Sequence, residues 1–154
     1  MNKVQASNLI IELMDLSEAC YLTTIDQDNF PQTRAMLNLR NLSQYPKLIP
    51  FFNAHNDDFG VYFTTNTSSQ KVAQIKNNPR VSVYYSKPSE WRGLMLGGNI
   101  KIVGDPDLKK RIWQDNWTMY YQKGPVDDDY TILELKPRVL KLYHQLDLFT
   151  IQRD

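Results

Sequence analysis

Near the amino terminus the apolar residues recur three and four apart. Ala6, Ile10, Leu13 and Met14 share one face of residues 4–17, widened by Leu9 and Leu16, and predict an amphipathic helix. The period then shortens to two. Residues 19–25 (ACYLTTI) read as a strand, Asp26, Gln27, Asp28 and Asn29 as a polar turn, and residues 32–41 as the second arm of a hairpin. In that second arm Thr33, Ala35, Leu37 and Leu39 alternate with Gln32, Arg34, Met36, Asn38 and Arg40. The second set is too polar for a core. It predicts either a solvent face or the lining of a cleft in which Arg34 serves as a forked, permanently charged donor. Residues 43–60, with Pro46, Pro50 and Gly60, show no period and read as a long connection, with His55 in a loop.

Residues 61–85 (VYFTTNTSSQKVAQIKNNPRVSVYY) follow as strand, polar turn, short helix and strand. Val72 and Ile75 supply the helix's apolar face, and Asn77-Asn78-Pro79 ends it. Residues 91–103 (WRGLMLGGNIKIV) read as a long strand in which Gly97-Gly98 marks a bulge, a bend or a close backbone approach. Asp105-Pro106 is a helix start, with Leu108, Ile112, Trp113 and Trp117 as its buried stripe. Asp127, Asp128 and Asp129 lack the glycine and distal glutamate of a calcium loop and read as a solvated turn. Residues 130–135 and 139–144 form two strands, or one interrupted at Pro137, and the tail after 145 carries no clear pattern. Six or seven strands with two or three helices and no βαβ alternation predict a mainly β, mostly antiparallel barrel or sandwich with flanking helices.

Composition narrows the function classes. A chain of 154 residues is expected to form a single domain, residues 1–154. Its formal net charge of +1 gives no electrostatic case for nucleic acid or an anionic membrane. No apolar run approaches a membrane span, and Glu12 and Asp15 interrupt what would be a signal-peptide core, so the expected location is the cytoplasm. Cys20 is the sole cysteine and excludes an internal disulfide; on a strand it reads as a small buried hydrophobe. His55 and His144 lie far apart, no HExxH is present, and no metal site is expected. There is no GxSxG, Walker loop or GxGxxG.

What remains is a polar turn before a helix. Asn66, Thr67, Ser68 and Ser69 have side-chain oxygens suited to capping the helix's first N–H groups. Lys71, in the first helical turn, opposes the helix dipole. Hydroxyls, free N–H groups and a lysine together suit an anion such as phosphate. An ordinary strand-to-helix turn with a solvated lysine fits the same residues.

The order of the initial helix, the YLTTID hairpin, FPQTRAML, YFTTNTSSQKVAQIKNNPRVSVYY and WRGLMLGGNIKIVGD resembles the pyridoxamine 5′-phosphate oxidase-like flavoproteins, up to about Tyr143. The downstream Trp113, Trp117 and GPVDDDYTILELKPRVLKLYH resemble the shorter, general-stress-protein-like branch. The resemblance implies an antiparallel split β-barrel, FMN as cofactor, and a homodimer with FMN at the subunit interface. By motif it implies that Arg34 grips the FMN phosphate, with Met36 on the same strand also at the cofactor. Thr64 and Thr65 would lie beside the ring or ribityl chain, and Ser69, Gln70 and Lys71 would complete the phosphate grip. Gln70 stands where many members have arginine. Trp91 and Arg92 occupy the region that reaches the flavin from the partner subunit, without the glutamine expected there.

The carboxy-terminal arginine- and histidine-bearing substrate motif of true pyridoxamine-phosphate oxidases is absent; His144 with Tyr143 is the nearest polar pair. The resemblance therefore implies an FMN-dependent oxidoreductase acting on another small molecule or a nicotinamide donor, with no catalytic acid or base identifiable. The alternative is a non-enzymatic flavin-binding or sensing module, or a stress-related interaction module, on the same barrel.

Overall fold

The computed structural model describes residues 1–154. Helix α1 (Lys3–Leu16) opens on a capping box in which Asn2 and Gln5 exchange side-chain and backbone hydrogen bonds, and it buries Ala6, Ile10, Leu13 and Met14. Strands β1 (Ala19–Ile25) and β2 (Pro31–Leu37) form the expected hairpin, its turn fixed by Asp26, whose carboxylate accepts from the backbone of Asp28 and Phe30. Strand β2 stops at Leu37, four residues before the predicted end. Asn38 turns inward instead and donates to the carbonyls of Met14 and Ser17 at 2.7 and 2.8 Å, while Asn41 donates to Ser17 O at 3.0 Å. The carboxy-terminal carbonyls of α1 need partners once buried, and these amides supply them.

The connection after β2 is not featureless. Pro46–Leu48 form a 3₁₀ turn that runs into α2 (Ile49–Asn53), with Pro46 and Pro50 in first-turn positions where a missing N–H costs nothing. Leu48 and Phe52 are thereby buried. Strand β3 (Val61–Asn66), α3 (Gln70–Asn77) and β4 (Arg80–Lys87) follow. Strand β5 (Arg92–Val103) leads to α4 (Pro106–Ile112), capped as expected by Asp105, whose side chain accepts from Asp107 N. Trp117 lies beyond that helix, in a 3₁₀ segment, Asp115–Met119. Strands β6 (Tyr130–Leu135), β7 (Val139–His144) and β8 (Asp147–Gln152) complete the chain. The patternless tail is thus an eighth strand, paired antiparallel with β7.

All strand pairs are antiparallel, and the sheet runs β2-β1-β4-β5-β6-β3, with β7 and β8 branching from β5. The branch lies at Gly97-Gly98. Residues Arg92 to Gly97 of β5 pair with β7, and Ile100 to Val103 pair with β6 along the same edge. The chain between β6 and β7 passes beside β5 at that point, where Arg138 N donates to Gly97 O at 2.9 Å. A Cβ on Gly98 would lie 3.1 Å from Leu135 Cδ1 and 3.4 Å from both Arg138 N and Lys136 O. The two glycines are therefore a close backbone approach that splits one sheet into two arms.

The main core lies inside the curled sheet, with Leu22, Val83, Tyr85, Leu94, Leu96, Leu140 and Leu142 fully buried under α1. Each such side chain contributes about 1.5–3 kcal/mol on burial. A second core packs on the other face of β3 and β6, where Tyr62, Tyr130 and Ile132 meet Phe52, Ile112, Trp117 and Tyr121. Strands β2 and β3 end the sheet order and pair only with β1 and β6, so the barrel stays open between them. No helix is long and apolar enough to cross a membrane.

Candidate functional site

The faces of β2 are opposite to their composition. Arg34 and Met36 are half-buried, whereas Thr33, Ala35 and Leu37 are exposed. Arg34 reaches across β1: its guanidinium donates to Leu22 O at 3.2 Å, Thr24 Oγ1 at 2.7 Å and Gln74 Oε1 at 3.3 Å. Thr24 in turn donates to Gln74 Oε1, so a strand hydroxyl and a side chain of α3 orient the guanidinium together. Every acceptor is neutral, and three of five donors are used.

Lys71 comes to the same region from the first turn of α3. Its Nζ donates to Thr65 Oγ1 at 2.9 Å. Burial of the ammonium, with the Arg34 charge as a second cause, holds Lys71 below its ordinary pKa; burial also lowers Arg34. Neither cation belongs to an ion pair. Two neighbouring cations without an ion-pair partner are chemically suited to an anion.

The turn before α3 does not cap the helix as the sequence predicts. Ser69 is the N-cap residue, but its hydroxyl makes no cap bond; Oγ is buried without any hydrogen-bond partner. The turn is held from outside instead. Asp129, at the foot of β6, accepts from Asn66 Nδ2 at 2.7 Å and Ser68 N at 2.8 Å, and its carbonyl accepts from Thr67 N at 2.7 Å. Thr67 Oγ1 donates to Asp128 O. These bonds hold the Asp129 carboxyl below its usual range. The acidic loop, read from sequence as a solvated turn, braces the strand-to-helix turn and leaves the Ser69 hydroxyl free.

A cavity of about 250 Å³ opens in the split between β2 and β3. Met36 and its neighbours Ala35 and Leu37 line one side, Thr64, Thr65 and Asn66 the other, and Lys71 one end. Trp117, Tyr120 and Tyr121 form the third wall. Of the sequence-predicted residues, Met36, Thr64, Thr65 and Lys71 share this cavity; Arg34 and Ser69 do not line it, though the Arg34 charge is near enough to act on Lys71. Gln70 is exposed and faces a separate groove of about 470 Å³ beside Asp26, Asp28 and Gln74. Trp91, in the left-handed conformation (φ 53°) and 81% exposed, stands beside Leu146 at another groove. Arg92 is buried and paired with Glu12 and Glu90 at 3.3 and 3.2 Å. Within one chain these three lie apart from the cavity. Sequence reasoning missed Tyr120, Tyr121, Thr24, Gln74 and Asp129. The crowding of Trp113, Trp117, Tyr120 and Tyr121 into nine residues was the available signal for the third wall.

Comparison with known proteins bears on the family and the fold. The family model described as pyridoxamine 5′-phosphate oxidase matches residues 10–144. A pyridoxine/pyridoxamine 5′-phosphate oxidase of Pelagibacter ubique is 32% identical over 87 residues, which cover 56% of this chain and 35% of that protein. The matched region thus spans about a third of that relative. Among solved structures, a Clostridium acetobutylicum protein related to general stress protein 26 of B. subtilis, of the pyridoxinephosphate oxidase family, superposes with a TM-score of 0.74 at 26% identity, covering 95% of both chains. General stress protein 26 of Bacillus anthracis shares the fold with a TM-score of 0.71 at 19% identity, covering 95% of this chain and 97% of that one.

Proposed function

We propose that this chain, which belongs to the pyridoxamine 5′-phosphate oxidase family, binds FMN in the split between β2 and β3 and acts as a flavin-dependent oxidoreductase. The observation that carries this reading is the pair of cations without an ion-pair partner, Lys71 in the first turn of α3 and Arg34 against Gln74 in its second, beside a buried and free Ser69 Oγ. A phosphate monoester suits that set: two cations to neutralise it, a hydroxyl to donate to it, and the first N–H groups of a helix. Bound FMN would supply hydride and electron transfer at its ring. The chain's own residues would bind and orient it. Lys71, Arg34 and Ser69 hold the phosphate, Thr64 and Thr65 flank the ribityl chain and ring, and Met36 forms the floor. Gln70, on the outer side of α3, adds no charge to this grip.

A homodimer completes the site in this reading. A cavity of about 250 Å³ is small beside the roughly 300–1,000 Å³ of ordinary ligand pockets. Its rim runs into an exposed sheet face carrying Leu37, Tyr21, Tyr84, Tyr143 and Leu148, an apolar surface of the kind that subunits bury. The exposed Trp91 would then serve the partner's site. The substrate is a small molecule or a nicotinamide donor rather than pyridoxamine phosphate.

The test is the visible spectrum of the purified protein. A flavin spectrum, or quenching and a thermal shift on adding FMN, is expected; a colourless protein that FMN neither quenches nor stabilises overturns the reading. One observation favours a second reading, a flavin-holding module without turnover: the cavity wall contains no carboxylate or imidazole. Reduction of bound FMN by NADH or NADPH, with reoxidation by an acceptor, decides for the enzyme.

A further inference from the structure

The 3₁₀ segment Asp115–Met119 and the two tyrosines after it are held by aromatic packing. Trp117 is 2% exposed, with ring centroids 6.0 Å from Trp113 and 6.3 Å from both Tyr45 and Tyr130. Tyr121 is buried against Tyr130 at 4.9 Å, and the Tyr130 hydroxyl donates to Lys109 O at 2.7 Å. Core packing therefore accounts for Trp113, Trp117, Tyr121 and Tyr130. Tyr120 shares in it only through one edge contact, with Tyr121 at 6.3 Å. That side chain is 55% exposed, its hydroxyl has no hydrogen-bond partner within the chain, and it lines the cavity in the split, as Lys71 and Thr65 do.

Large aromatic side chains gain most by burial, and an aromatic left open on a cavity wall is a surface for a flat ligand. The cavity accordingly has two chemically distinct parts. Lys71 and Thr65, next to the turn that carries Ser69, suit an anion; Tyr120, on a support of buried aromatics, suits a planar ring. A molecule that joins a phosphate to a fused, electron-poor ring satisfies both.

Resting on the FMN reading above, we infer that the segment 115–121 is the ring-side wall of the cofactor site, and that Tyr120 packs directly on the flavin ring. Tyr121 and Trp117 fix the height and tilt of that wall. Ring recognition is then separable from phosphate recognition, since the two come from different parts of the chain.

Binding of FMN and of riboflavin, which carries the same ring without the phosphate, tests this by quenching of flavin fluorescence. In Tyr120→Ala the affinity for FMN is expected to fall about tenfold, and for riboflavin by the same factor, the equivalent of one stacking contact. Tyr120→Phe is expected to retain both affinities. Lys71→Ala should weaken FMN and leave riboflavin unchanged. Tyr120 is exposed, so the melting temperature of the FMN-free variants should match that of the parent. If Tyr120→Ala leaves FMN affinity unchanged, the ring-side assignment is overturned while the FMN site stands. If the parent protein binds neither flavin, both fall.

Discussion

Lys71 Nζ donates to Thr65 Oγ1 at 2.9 Å, so the last turn of β3 and the first turn of α3 are joined by a single ammonium. That bond aims the charge into the split of the barrel and leaves it uncompensated. Replacing Lys71 or Arg34 with alanine is expected to cost about 1.5–3 kcal/mol of FMN affinity, the value of one charge-assisted hydrogen bond. Calorimetric titration checks it. The FMN-free protein should not lose stability from Lys71→Ala, because the removed charge is held against burial and against Arg34.

The same depressed pKa fixes a pH dependence. Folded Lys71 releases its proton at a lower pH than the unfolded chain, whose value is 10.5. Between those two values the unfolded state binds more protons, so the lysine's destabilising contribution is relieved as pH rises through the folded value. Phosphate binding needs the ammonium, and FMN affinity is expected to fall as pH rises, beginning below 10.5. Dissociation constants measured across the alkaline range check this. In Lys71→Arg the fall should be absent over the same range, since a guanidinium keeps its proton there.

The grouping of the parts contiguous in the chain was legible in the sequence. Thr64, Thr65 and Lys71 lie within eight residues and share the cavity, although their chemistry alone fitted an anion site and an ordinary strand-to-helix turn alike. Gly97-Gly98 likewise announced the point where β5 changes partners. Arg34 was ambiguous because the alternation along β2 shows which residues share a face, not which face the rest of the fold covers. Gln74 of α3 decides that, from forty residues away. Asp129 and Tyr120 were invisible for the same reason, being brought to the turn and the cavity by β6 and by the aromatic core. Strand β8 was missed because its turn breaks the usual rule: Gln145 takes φ 55° where glycine or asparagine is expected, and Leu146 is fully exposed.

Asp129 is a positioning residue for the turn that carries Ser69. Asp129→Asn keeps the shape but weakens the acceptors that hold Asn66 and Ser68 N. FMN affinity is expected to fall several-fold, about one neutral-for-charged hydrogen-bond exchange, while riboflavin affinity stays constant. Amide exchange at Ser68 should quicken in the variant. Because the native carboxyl is held below its usual range, the turn keeps this support above the unfolded value of 3.8 and loses it as pH falls through the lower, folded one.

Two glycines separate a packing requirement from mere chain flexibility. At Gly98 an added Cβ meets Leu135 Cδ1 at 3.1 Å on one side and backbone atoms of Arg138 and Lys136 at 3.4 Å on the other. The leucine can yield a little, but the backbone that links β6 to β7 cannot move without disturbing both arms of the sheet. Gly98→Ala is therefore an overpacking change of about 1–3 kcal/mol. For a chain of this size that lowers the melting temperature by roughly 2–4 °C per kcal/mol. Gly104 has nothing within 4 Å of its would-be Cβ and no positive φ. Gly104→Ala restricts the unfolded chain without straining the native one, and should leave the melting temperature unchanged or slightly higher. Thermal unfolding of the two variants side by side checks the contrast. Equal losses in both would mean that the chain needs glycine at these positions for its backbone conformation, not for the close approach of Lys136 to Arg138 to β5.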